Sequence, residues 1–160
     1  MIEMEVTGLG VDSSSDATVL LLEGEGESLG MAIGLAEATS IAKALDQLEL
    51  QRPLAHDLLQ DVMGAVGAKL CQIEVVDLRD ATYYAELIVE DPAGVIHRID
   101  SRPSDAIALA VRVGAPILIH EHVLAKERPA VKEFPSPADK EGWKKLLEEM
   151  EPEDFGKYKM

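Results

Sequence analysis

Apolar positions recur along this chain with two periods. Continuous or alternating apolar runs predict strands at Glu3–Val11 (EMEVTGLGV), Ala17–Glu23 (ATVLLLE) and Leu29–Gly34 (LGMAIG). Polar turns at Asp12–Asp16 and Gly24–Glu27 separate them. A helical period follows in Glu37–Leu48, with Ala38, Ile41, Ala42 and Leu45 along one face. After Arg52-Pro53 it returns in Leu54–Val66, with Leu58, Leu59, Val62 and Val66 in register.

The order then repeats. Leu70–Leu78 and Tyr83–Glu90 read as strands, Asp91–Gly94 as a turn and Val95–Asp100 as a third strand. The segment Ile99–Ile119 (IDSRPSDAIALAVRVGAPILI) follows, with polar residues ahead of a helix, Ala106–Val113, that is apolar on nearly every side. Pro103 suits its first turn and Gly114 its C-terminal cap. Such a helix must be covered all round, by sheet, helix or a second subunit. Ile117–Ile119 reads as a short closing strand.

At an offset of about 68 residues, Glu37-Ala38 falls on Asp105-Ala106 and Ile41-Ala42 on Leu109-Ala110. The predicted fold is therefore α+β: a mixed, largely antiparallel sheet from two βββα-type repeats (about 3–50 and 70–120), with helices packed on it. Residues 1–125 form the domain and 126–160 a C-terminal extension with a short helix at Trp143–Met150. Trp143, Leu146, Leu147 and Phe155 are expected to dock that extension.

Composition narrows the class. With 160 residues, 47% hydrophobic and 28% charged, the chain is an ordinary globular one, large enough for a real core. No apolar run nears the roughly 20 residues a membrane helix requires, and Met1-Ile2-Glu3 opens without a basic leader. The single cysteine, Cys71, excludes an internal disulfide, fits a reducing cytoplasm and is expected to be a buried strand residue. A net charge of −15 opposes passive binding to nucleic acid, which relies on Lys and Arg neutralising phosphates.

Three polar clusters stand out at predicted helix N-termini: Glu37; Arg52-Pro53 with His56-Asp57; and Arg102-Pro103-Ser104-Asp105. Acidic residues there interact favourably with the helix dipole, so each has a structural explanation as a cap. His56 beside Asp57 also suits proton transfer or metal binding, although neighbouring helical positions point about 100° apart and cannot form one ligand pair. Arg52 and Arg102 can pair with carboxylates or grip a phosphate bidentately. His97, His120 and His122 are scattered, and Tyr83-Tyr84 read as half-buried strand aromatics. The chain has no P-loop, dinucleotide fingerprint, paired-His metal motif or nucleophile elbow.

Arg52-Pro53 followed by His56-Asp57-Leu58-Leu59, then Arg102-Pro103-Ser104-Asp105-Ala106-Ile107-Ala108-Leu109-Ala110, resembles the bifunctional nuclease family. The Glu37-Ala38…Ile41-Ala42 helix lies ahead of both blocks, Pro152–Phe155 adds a weaker match, and Ala55 stands where a hydroxyl is expected. The resemblance covers roughly 3–125. It implies a compact α+β domain, a homodimer, and cleavage of DNA and RNA; the lack of a membrane-length apolar run separately gives the expectation of no membrane association. The resemblance also implies His56, Asp57, Asp105 and Glu37 as catalytic candidates and Arg52, Arg102 and Ser104 as substrate-binding ones. In the mechanism that follows, Asp57 and Asp105, with Glu37 as a further donor, hold Mg²⁺ or Mn²⁺ through hard oxygen ligands. His56 is then the general acid or base, and Arg52 or Arg102 binds the scissile phosphate. The competing expectation is a non-catalytic binding or regulatory homodimer whose polar clusters are helix caps and salt bridges.

Overall fold

A computed structural model describes residues 1–11 and 17–127. In chain order it contains β1 (Ile2–Val11), β2 (Thr18–Gly24), β3 (Glu27–Ile33), α1 (Leu35–Leu45), α2 (Ala55–Ala65) and β4 (Lys69–Arg79). Then come β5 (Thr82–Glu90), β6 (Ile96–Ser101), α3 (Pro103–Val113), β7 (Ile117–Ile119) and α4 (Glu121–Glu127). The extension expected at 126–160, with its Trp143–Met150 helix, lies outside the described residues beyond Glu127.

The strands form one mixed sheet in the order β3-β2-β1-β7-β4-β5-β6. Neighbours pair antiparallel except β4 and β7, which run parallel. Two antiparallel triplets thus flank the short central β7, and each triplet feeds a helix: β3 leads into α1 and β6 into α3. Tight turns fix the register. Glu25-Gly26 and Asp80-Ala81 each join their strands in two residues with positive φ, the geometry that matches strand twist. Asp91 organises the β5–β6 turn by accepting the N–H groups of Ala93 and Val95 through one carboxylate oxygen.

One apolar core joins the sheet to its helices. Leu20, Leu22, Met31, Ile73, Val75, Ala85, Ile117 and Ile119 meet Ala38 and Ile41 of α1 and Ile107 and Leu109 of α3. Ala106 to Ala110 of α3 are fully covered by β4, β5, α1 and α2 of the same chain, so this helix needs no second subunit to bury it. Pro103 opens α3, and Gly114 closes it in the left-handed region (φ 68°, ψ 30°).

Three details differ from the periodicity. The Leu58, Leu59, Val62 and Val66 row of α2 and its flank is exposed, and α2 fully buries none of its residues; its half-covered side carries His56, Asp57, Gln60 and Met63, of which Met63 packs against the core. Cys71 is half-buried: it follows buried Leu70 where β4 bulges between Leu70 and Gln72, and the core face resumes at Ile73. The α4 helix is new, and Val123 and Leu124 complete the core beneath it. No helix among the described residues is long and apolar enough to cross a membrane.

Candidate active site

Glu37, Asp57 and Asp105 are each the third residue of their helix, in α1, α2 and α3 respectively. This is where a carboxylate interacts well with the free N–H groups of a helix start. Asp57 does so directly, accepting the Leu54 N–H at 2.8 Å. The starts of α1 and α3 lie together, and α2 packs against α3 so that His56 reaches Asp105 while Asp57 meets Lys43 and Arg112 from the last turns of α1 and α3. The caps have become one polar cluster.

Arg102, the residue just before α3, joins two of the three. Its Nε donates to Asp105 Oδ2 at 2.7 Å, and Nη2 donates to Asp105 Oδ1 at 3.0 Å and to Glu37 Oε1 at 2.6 Å. Gly34, just before α1, makes room for this: a Cβ there would collide with the Glu37 carboxylate. The Arg102 side chain is 51% exposed, whereas Glu37 is 16% and Asp105 32% exposed. The cation is thus the group that solvent, or a solute, reaches most readily.

Behind Asp105 the network turns inward. His56 Nε2 lies 3.0 Å from Asp105 Oδ1, and its Nδ1 lies 2.8 Å from the hydroxyl of buried Ser40 in α1. Arg112, from the last turn of α3 and only 4% exposed, donates to Ser40 Oγ at 2.8 Å, to Ser40 O at 3.1 Å and to Ala108 O at 2.6 Å. Its Nε donates to Asp57 Oδ1 at 2.9 Å, and Lys43 Nζ reaches Asp57 Oδ2 at 2.6 Å. Asp57 is therefore bound to two cations on the far side of His56 from Arg102. His56 and Asp57 point apart, as their adjacent helical positions require.

Two of the predicted residues stand aside. Arg52 is exposed in the α1–α2 connection and forms no ion pair among the described residues. Ser104 is buried in the first turn of α3. Conversely, Ser40, Lys43 and Arg112 carry much of the network and were not singled out from sequence. A signal existed, since Arg112 is the lone charge within the Ala106–Val113 run. The remaining histidines pair elsewhere: His97 with Asp91, His120 with Glu74, and His122 with Asp77.

The electrostatics follow from these contacts. Burial pushes the Asp57 carboxyl upward, but hydrogen bonds from Lys43, the Leu54 N–H and Arg112 outweigh it and hold it far below the usual carboxylate range. Asp105 likewise resists burial through Arg102 and His56 and stays below that range. Asp105 and Glu37 together push Arg102 still further above the ordinary arginine range. A depressed carboxylate pKa adds stability that is complete above the unfolded value, near 3.8, and is lost as pH falls through the folded one. Acid unfolding followed by circular dichroism should therefore show stability dropping below about pH 4. Asp57→Asn should flatten that drop; a curve parallel to wild type would contradict the assignment.

Comparison with known proteins brings in kinship. A family model described as "Bifunctional nuclease domain" matches residues 19–132, a span that includes every residue of the cluster. The uncharacterized protein MT1877 of Mycobacterium tuberculosis is 36% identical over 96% of this chain and 97% of its own length. Bifunctional nuclease 2 of Arabidopsis thaliana is 30% identical, and Bifunctional nuclease 1 of the same plant 26%, each over 67% of this chain. The match spans 33% and 34% of the length of those two plant proteins.

Proposed function

This chain belongs to the bifunctional nuclease domain family, and from that premise we propose that it hydrolyses phosphodiester bonds of DNA, RNA or both at the Arg102 cluster. The observation that carries the reading is the placement of Arg102. It is a half-exposed guanidinium already aligned for bidentate oxyanion binding, between two carboxylates at adjoining helix starts.

In this reading the scissile phosphate competes with Asp105 and Glu37 for Arg102. As the guanidinium turns to the phosphate, both carboxylates lose their cation and become more basic. Asp105, still held by His56, is then placed to take a proton from the attacking water. The new P–O bond forms from that water, the bond to the leaving oxygen breaks, and the leaving oxygen takes a proton from solvent water, to which Asp105 afterwards releases the one it accepted. Arg102 offsets the charge that builds on the phosphoryl oxygens.

The Mg²⁺ or Mn²⁺ expectation belongs to the same test. Among the described residues no three His, Cys, Asp or Glu side chains stand together as ligands for an ion. Asp57 faces Lys43 and Arg112, while Asp105 faces Arg102 and His56. These donors, as placed, do not fit a resident divalent cation.

The experiment is a purified-protein assay on single- and double-stranded DNA and RNA, with Mg²⁺, with Mn²⁺ and with excess chelator. Cleavage is expected and is expected to continue in chelator; loss that Mg²⁺ or Mn²⁺ restores would instead put the carboxylates on an ion. Asp105→Asn should stay folded and lose about 100-fold in rate. An Asp105→Asn protein that cleaves at the wild-type rate would remove Asp105 from the chemistry. One observation favours the competing reading of a non-catalytic module: all three carboxylates are ion-paired. That reading expects no cleavage from wild type in any arm.

A further inference from the structure

The Ser40 hydroxyl sits between two groups that dictate where its hydrogen goes. Arg112 Nη2 can only donate, and it occupies one lone pair of Ser40 Oγ at 2.8 Å. On the other side stands His56 Nδ1, also at 2.8 Å. Across the ring, Asp105 is held ionised by Arg102 and can only accept, so the facing Nε2 must carry a hydrogen.

The pattern that satisfies every partner runs one way. Arg112 donates to Ser40, Ser40 donates to Nδ1, and Nε2–H donates to Asp105. The reverse, with Nδ1–H donating to Ser40, would give the hydroxyl two donors and leave its hydrogen without a place in this chain of contacts. Ser40 is buried, so water does not readily take it up. The charged groups around the ring are Asp105 of α3 and Arg102 just before it, with Arg112, Asp57 and Lys43 behind Ser40.

We propose that Ser40 and Arg112 are positioning residues that hold His56 as the Nε2–H tautomer, so that its N–H orients the Asp105 carboxylate. Both ring nitrogens are then engaged, and His56 acts through Asp105 rather than on substrate. Ser40, from α1, and Arg112, from α3, thereby set the aim of a histidine supplied by α2. The tautomer stands on its own geometry; only its kinetic consequence rests on the proposed nuclease function.

Nitrogen-15 NMR of histidine-labelled protein reads this without substrate, in mildly alkaline solution. Wild type should show a protonated Nε2 and an unprotonated Nδ1, the Nδ1 resonance displaced by an accepted hydrogen bond. In Ser40→Ala that displacement should vanish, and kcat should fall roughly tenfold with KM unchanged. A wild-type Nδ1 that carries the proton would overturn the proposal, whatever the variant does. So would an Nδ1 resonance that ignores Ser40→Ala. If the nitrogen signatures are as expected but the protein cleaves nothing, the nuclease function fails and the tautomer assignment stands.

Discussion

Replacing Arg112 with methionine should lower the unfolding free energy by about 3 kcal/mol, the lower end for breaking a buried ion pair. Methionine fills the space of the arginine stem, so the loss isolates the guanidinium. Four acceptors lose one donor each at once: Asp57 Oδ1, Ala108 O, Ser40 O and Ser40 Oγ. The estimate stays at the lower end because Asp57 keeps Lys43 and the Leu54 N–H. For a chain of this size that is on the order of a 10 °C fall in Tm. Calorimetry on the two proteins checks it, and a Tm within about 2 °C of wild type would show the pair to be dispensable. Asp57→Asn combined with Arg112→Met should cost less than the sum of the two, because neither partner is then left as an unpaired buried charge.

Arg102 should behave in the opposite way, with a large effect on activity and a small one on stability. Half of its side chain is exposed, so its ion pairs are screened and their loss should cost less than about 1 kcal/mol. If it binds the phosphate, Arg102→Ala should reduce kcat/KM by about 100- to 1,000-fold, the usual scale for losing an organised donor to transition-state charge. Arg102→Lys should recover part of this, since it restores the charge without the two-pronged fork. A lysine variant no better than alanine would mean that fork geometry, rather than charge, does the binding.

Much of the fold is legible because its signals are local. Pro103 and Gly114 mark the ends of α3 by their own backbone requirements, and the run Val19–Leu22 suits the strand it forms, buried at every position. The acidic residues at the three helix starts are visible for the same reason. Ser40 and Arg112 are not, because their meaning is tertiary. A serine beside Ile41 and an arginine between Val111 and Val113 look like solvent-edge residues until α1 and α3 are packed together. The α2 row fails for a related reason: Leu58, Val62 and Val66 share a helix face, but periodicity does not say what covers it. The α4 helix, at seven residues, is too short for a periodic signal to emerge.

The most direct test is the rate at which wild-type protein and Arg102→Ala cleave the same end-labelled single strand. Both are purified identically and assayed across the gel-filtration peak, so that a contaminating nuclease would betray itself by eluting elsewhere. Cleavage that follows the wild-type protein peak and falls at least about 100-fold in the equally folded variant is the predicted result. Equal cleavage by the two proteins, or activity that separates from the peak, would contradict an Arg102-centred nuclease site.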